Sequence, residues 1–490
     1  MNSSTTSRTS GQQADVAPPP GATRRGGGGH QTTMSTVETA HSTLFFVSDR
    51  VFKMPKRAAV GKADLRRREA REEACRAEIV RNRPFAPGVY LGVADVRDSA
   101  GAPVEHMVVM RRLPSERRLS ELLARGEPVD EPLREVARAL VTFHERCETS
   151  AEIAEHGRLR DLEAAWLAAI EGLTPFQGTM LDAAEIAEID ELGQRYLRGR
   201  RPLIDGRAAR GRIRDGHGNL LAEHVFCLDD GPRILDRLSA DDGRRIADVL
   251  ADASMLAVDL ELRGAPQLTG PFFGWCVEFA GETHPPSLAH FYMAHRGIVL
   301  AGESAVRAHL GDEAATGEAR RLVRIALEHL RRARVRLVLV GGAPGSVRAA
   351  FAERLIRDED GWVLLASDAI RGELAVEREL VPPGAGARDE GPADADADTD
   401  ADLASGSGPA REFGSDDEVH AELLRRAREA LERGDSVIVQ ARWSEAEARK
   451  EAAAVAARTW SDLIELDSFD ARLSLDKAVR DGRLALGIAS

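Results

Sequence analysis

The sequence predicts a multidomain protein of mixed α/β and α+β class: a small sheet with one helix, a long helical block, then a separate parallel α/β domain. Three observations lead there. At 490 residues the chain exceeds one ordinary core. Short apolar runs flank a turn in the first hundred residues, and apolar residues recur at helical spacing after Pro114. From Arg334 onward, short apolar strands alternate with helices, the pattern of βαβ units.

Residues 1–34 are rich in Ser, Thr, Pro and Gly. They offer too little apolar surface to offset chain entropy and are expected to be disordered. Residues 35–112 form the small-sheet region. Leu44–Val47 and Val51–Met54 flank Ser48-Asp49-Arg50 as strand, turn, strand, and a charged helix follows from about Asp64 to Arg81. Val89–Val93 and His106–Met110 read as two further strands. In the helical block, residues 113–333, Leu133, Val136, Leu140 and Phe143 mark one buried helix face, and short strands interrupt between His217 and Asp236. Residues 334–490 contain the strands Leu337–Val340, Trp362–Leu365, Ser436–Val439 and Asp462–Leu466, with a helix from Ala349 to Ile356. An acidic stretch, 382–416, is expected to interrupt this domain as a flexible insertion.

That insertion also explains the net charge of −13. Between Pro382 and Glu418 eleven acids face two arginines, so this segment supplies −9 and the rest is near neutral. Without a basic face, and with three tyrosines and five tryptophans, nucleic acid is not an expected partner. No apolar run reaches the ~18 residues that span a bilayer, so no membrane is expected either. Cys75, Cys147, Cys227 and Cys276 show no CxxC spacing, which fits buried free thiols in a reducing cytoplasm.

The segment Arg214-Asp215-Gly216-His217-Gly218-Asn219-Leu220, with His224 and then Ile234-Leu235-Asp236, resembles the HGDxxxxN…D signature of aminoglycoside-phosphotransferase-like kinases. The resemblance implies a bilobal, protein-kinase-like fold. In that family the aspartate after His-Gly takes the proton of the acceptor hydroxyl, and the later Asn and Asp hold magnesium. Here His217 and Gly218 stand as expected, but Asn219 occupies the catalytic aspartate position and His224 the metal-binding asparagine position. Asp236 is retained. An amide is no general base, a loss of roughly 10²–10⁴-fold, and a ring nitrogen is a poor ligand for Mg²⁺. Upstream, the resemblance assigns Lys53 to the phosphates, Glu78 as its ion-pair partner, and Met110 to the strand that enters the inter-lobe hinge. His144 is read as packing. Asp215 and Glu223 are the neighbouring carboxylates and the candidates to replace the lost base.

Gly342-Ala343-Pro344-Gly345-Ser346-Val347-Arg348-Ala349 lies between a strand and a helix, where a phosphate-binding P-loop belongs. Its end departs from GxxxxGK[ST]: Val347 replaces glycine, Arg348 replaces lysine and Ala349 replaces the hydroxyl residue. Gly342, Gly345, Ser346 and Arg348 remain its nucleotide-binding candidates. Ser367-Asp368-Ala369-Ile370-Arg371 and Gln440-Ala441-Arg442-Trp443 resemble segments of small-molecule P-loop kinases, with Gln440 in place of an aspartate. Arg449, Arg472 and Arg480 are candidate lid remnants. The two halves together resemble bifunctional aminoglycoside phosphotransferase/P-loop ATP-binding proteins.

The resemblance implies ATP and Mg²⁺ as ligands of the first domain, and weak or no ATP binding in the second. Three functions stay open: a pseudokinase-like protein acting by binding a small molecule or protein partner, an active small-molecule phosphotransferase, and an interaction protein docking a basic partner through the acidic insertion.

Overall fold

The computed structural model describes residues 34–39, 41–60, 63–238, 242–341, 347–357, 360–380, 416–443, 446–466 and 479. The Ser/Thr/Pro/Gly-rich tail up to residue 33 and the acidic stretch 381–415 lie outside them. Met34 already belongs to a strand and Asp416 to a helix, so the tail and insertion read from sequence are each one residue too long there. The chain divides into two compact units, up to Arg334 and from Val335.

The first unit opens with a five-stranded antiparallel sheet in the order Met34–Glu38, Ser42–Val47, Arg50–Pro55, Pro103–Arg111, Tyr90–Arg97. Alternation along Ser42–Val47 buries Leu44 and Phe46 on one face. The turn to Arg50–Pro55 passes through Ser48 in the left-handed region, φ 54°. Against this face packs the helix Arg68–Asn82, which buries Arg71, Cys75, Ile79 and Asn82, one stripe at spacings of four and three. The same core takes in Phe226 and Leu235 from the helical region, so the two lobes share apolar contacts.

The helical region centres on Val249–Leu262, buried continuously from Leu250 to Leu260. Around it lie Asp130–Arg146, Thr269–Ala280, Pro286–His309 and Glu313–Arg332. Leu133, Val136 and Leu140 are buried at helical spacing, with Phe143 half-buried beside them. Two small antiparallel pairs interrupt the helices. Ile213–Asp215 pairs with Ile246–Asp248, and Val225–Leu228 forms a hairpin with Gly231–Ile234. They frame the loop from Gly216 to His224.

The second unit carries a four-stranded parallel sheet in the order Trp362–Ala366, Ser436–Ala441, Arg336–Gly341, Asp462–Glu465. Its central strands are near-continuous apolar runs because helices cover both faces: Val338, Val340, Val437, Ile438 and Val439 are all buried. Strand Arg336–Gly341 ends where ligands approach open α/β sheets, and the helix after it spans Val347–Leu355, two residues ahead of the expected start. Gln440 and Ala441, read from sequence as following the third strand, are its last two residues.

Candidate functional site

Strand Arg50–Pro55 and helix Arg68–Asn82 present Lys53 and Glu78 to each other, and the Gly231–Ile234 strand delivers Asp236 opposite them. Lys53 Nζ lies 2.9 Å from Glu78 Oε1 and 3.0 Å from Asp236 Oδ1. Burial opposes the ammonium, but the two carboxylates outweigh it and hold the Lys53 pKa well above its usual value. Lys53, against the opposing effect of burial, keeps Asp236 well below the usual carboxylate range. Asp236 also sits in the left-handed backbone region, φ 59°. A non-glycine residue held there marks a position where the surroundings override local preference. Those surroundings are specific: Leu235 N–H donates to His224 O (2.9 Å), Arg237 N–H to Asn82 Oδ1 (3.0 Å), and Leu238 N–H to His217 O (3.1 Å).

The loop Gly216–Asn219 is held from below by one carboxylate. Asp252 accepts the backbone N–H groups of His217 (2.6 Å) and Gly218 (2.8 Å), and its Oδ2 lies 3.0 Å from His144 Nε2. Burial alone would raise the Asp252 pKa, but His144 and the loop's donors bring it down to about 2. Gly216 is required here because a side-chain carbon would collide with the Asp252 carboxylate. His217 is fully buried, and burial lowers its pKa to about 3, so the ring is neutral. Its Nδ1 accepts Asn219 N–H (3.3 Å), which leaves Nε2–H to donate to Leu235 O (3.1 Å). His217 is therefore a strut between the loop and the Asp236 segment.

Asn219 and His224 come together as the sequence spacing implies. His224 Nδ1 donates to Asn219 O at 3.0 Å, and its Nε2 faces Glu223 Oε1 at 3.6 Å and Asp236 Oδ2 at 3.9 Å. The Asn219 side chain makes no hydrogen bond among the described residues. Of the two neighbouring carboxylates, Asp215 is engaged by Arg237 at 2.8 Å and also by Arg245, so it is not free to act for the missing base. Met110 is buried in the sheet core opposite Val51 and Tyr90, and only its backbone is available to a ligand. Asp236 is the one carboxylate at the metal position. No cluster of three or more His, Cys, Asp or Glu suited to a metal occurs among the described residues, and His224 offers nitrogen. Of the two positions that the resemblance assigns to magnesium, one is the Asp236 carboxylate and the other a ring nitrogen, which magnesium binds poorly.

Sequence reading missed Asp252, Asn82 and Arg237. Asp252 had a signal: an acid inside an otherwise apolar helix must be paired or solvated. Asn82 and Arg237 had none, since their roles arise only where helix and loop meet. His144, read as packing, positions Asp252.

In the second unit, Gly342, Gly345 and Ser346 lie outside the described residues, as do Arg472 and Arg480. Arg348 is placed by its backbone in helix Val347–Leu355. Gln440 is buried at the end of its strand, and Arg449 Nε donates to Trp443 O at 2.7 Å, a local tie rather than an extended lid.

Residues 337–464 match a family model described as an AAA domain. Two mycobacterial proteins, uncharacterized protein Rv2004c of Mycobacterium tuberculosis and uncharacterized protein Mb2027c of Mycobacterium bovis, are each 32% identical over 428 residues, 87% of this chain and 82% of theirs. Among solved structures, a choline/ethanolamine kinase family protein from Mesorhizobium loti is 13% identical, with TM-score 0.37 over 62% of this chain and 94% of its own. The GDP complex of an aminoglycoside 2'-phosphotransferase-IIIa is 17% identical, with TM-score 0.38 over 60% and 92%. No helix among the described residues is long and apolar enough to cross a membrane. The chain belongs to the family of these mycobacterial proteins, and its parallel α/β unit carries the segment that matches the AAA-domain model.

Proposed function

We propose that the first unit binds a nucleotide and does not transfer its phosphoryl group at a kinase-like rate. The observation that supports this reading is the amide of Asn219 at the position where the resembled kinases carry their base. Lys53 and Glu78 form the ion pair that such sites use on the phosphates, which supports nucleotide binding. In the resembled kinases a carboxylate takes the proton of the acceptor hydroxyl, and here Asp215 and Asp252 are both bound to other partners. A positioned base contributes roughly 10²–10⁴-fold, so its loss silences transfer while leaving binding intact. The protein then acts through what it binds, a small molecule or a protein partner.

The test compares wild type with Asn219→Asp and with Asn219→Asp/His224→Asn. Mg²⁺-ATP turnover, measured with aminoglycosides, amino alcohols, sugars and water as acceptors, is expected at background for wild type, with nucleotide binding measurable by calorimetry. Wild-type turnover that disappears in Asp236→Ala overturns the proposal. One observation favours a second reading, an active phosphotransferase: Glu223 lies beside His224 and faces the same side as Asp236. In that reading Glu223 is the base, and Glu223→Gln abolishes a turnover present in wild type.

A further inference from the structure

Where strand Pro103–Arg111 leaves the small sheet, its last residue and the segment that follows meet the turn of the hairpin Val225–Leu228/Gly231–Ile234. Together they line a basin of about 490 Å³ that opens broadly to solvent. Its apolar part is Leu113, Pro114 and Leu228, and both leucines are half-buried against the core of the small sheet. The rest of the lining is charged.

Every acid at the basin is already taken by a guanidinium, and two guanidiniums are left over. Arg117 donates from Nε to Cys227 O (2.6 Å) and from Nη2 to Asp229 Oδ1 (2.7 Å). Asp230, the other acid of the lining, is held by Arg233 at 2.7 Å. Asp49, whose carbonyl accepts Arg112 N–H (2.9 Å), has its carboxylate on Arg50 at 2.5 Å. Five guanidiniums thus meet three carboxylates, and the surplus is Arg111 and Arg112. Neither side chain has a hydrogen-bond or ion-pair partner among the described residues. Arg112 lies over the Phe46 ring, 5.4 Å from its centroid, and Arg111 is exposed. Glu116, on the next turn, is exposed and outside the lining.

The openness of the basin decides the kind of occupant. Small-molecule sites enclose most of their ligand, whereas this basin is lined by two chain segments only, 111–117 and 228–230. Arginine beside apolar surface is instead the composition of protein-interface anchors. The anchors are also rooted: Arg111 N–H donates to Val89 O (2.9 Å), and Pro114 fixes its own φ, so docking has less backbone freedom to remove. We propose that the basin docks an acidic segment of a partner protein, two carboxylates on Arg111 and Arg112 and an apolar side chain against Leu113 and Leu228. The planar guanidinium suits a carboxylate by paired hydrogen bonds. No residue of the Lys53–Asp236 cluster lines the basin, so docking stands whether or not that cluster transfers phosphoryl groups. A chain of net charge −13 repels acidic peptides in general, so a preference for one reports a local site.

The experiment is fluorescence anisotropy of the full chain with dye-labelled heptapeptides at low salt. The acidic probe carries glutamates and aspartates around a central leucine, and its control carries glutamines and asparagines instead. The acidic probe is expected to bind about 3- to 30-fold more tightly than the control, the worth of two exposed ion pairs. Serine in place of the leucine should weaken it by about 3- to 10-fold. Arg111→Gln/Arg112→Gln, with folding checked by its thermal transition, should erase the preference for the acidic probe. Arg111→Gln alone, at an exposed position, should weaken that probe about 2- to 5-fold and serves if the double variant does not fold. The proposal is overturned if wild type does not distinguish the acidic probe from its control, or if the glutamine substitutions leave the preference intact. It is equally overturned if the serine probe binds as tightly. Oligothymidylate of the same charge that binds at least as tightly, and loses this in the glutamine variants, would also overturn it and assign the basin to nucleic acid.

Discussion

Asp252 takes two loop N–H groups and the His144 ring on one carboxylate that is 5% exposed. Removing it leaves buried donors without an acceptor, at 1–3 kcal/mol each. Asp252→Ala is expected to lower the unfolding free energy by roughly 2–5 kcal/mol, read from urea denaturation. The same residue gives a pH dependence with a defined sign. Its pKa in the folded state, about 2, is depressed from the ordinary value. Its contribution of about 2 kcal/mol is therefore complete above pH ~4 and is lost as pH falls from ~4 towards 2. An acid titration in which Asp252→Ala is as acid-sensitive as wild type would contradict that assignment. For Lys53→Ala, nucleotide affinity is expected to fall by about 10- to 100-fold, measured by equilibrium dialysis. Residues such as Asn219, His224 and Asp236 were legible because their spacing lies in a single stretch of chain. Asn82 and Arg237 were not, because 155 positions separate partners that only folding unites.

Helix Val249–Leu262 organises its surroundings from its first turn. Asp248, its N-cap, accepts Leu250 N–H and also holds Arg207, while Asp252 one turn later holds the loop. Arg207 is nearly inaccessible, and its loss would strand Asp248 as a buried charge and leave Glu282 to Arg212 alone. Arg207→Ala is expected to cost about 3–5 kcal/mol, detected as a fall in the denaturant midpoint. Most elements could be read from apolar runs and periodicity, since Leu44–Val47 is a short apolar run ahead of a turn and Leu133–Phe143 recurs by helical turns. The strand Met34–Glu38 escaped notice because its residues are exposed or half-buried and carry no apolar face. The short strand Ile246–Asp248 escaped for a related reason: at three residues it has no period to detect.

The two units differ in how far each keeps the residues that the sequence resemblance assigns to nucleotide. The first keeps its cation and its ion pair. The second has lost the glycine, lysine and hydroxyl that end a P-loop. Equilibrium dialysis of the full chain is expected to find one ATP per chain, bound about 10- to 100-fold more weakly in Lys53→Ala. A second equivalent that persists in that variant would place nucleotide in the second unit. At the scale of the first unit, the contact between Asn82 and Arg237 has a mechanical consequence. Asn82 closes the helix that bears Glu78, and Arg237 immediately follows Asp236, so the hydrogen bond yokes the two carboxylates that flank Lys53. Swinging that helix outward would first have to sever a wholly enclosed bond and expose an orphaned amide, at about 1–3 kcal/mol. Displacement of the helix is thereby disfavoured, and the assembled posture of Lys53 between its two carboxylates persists.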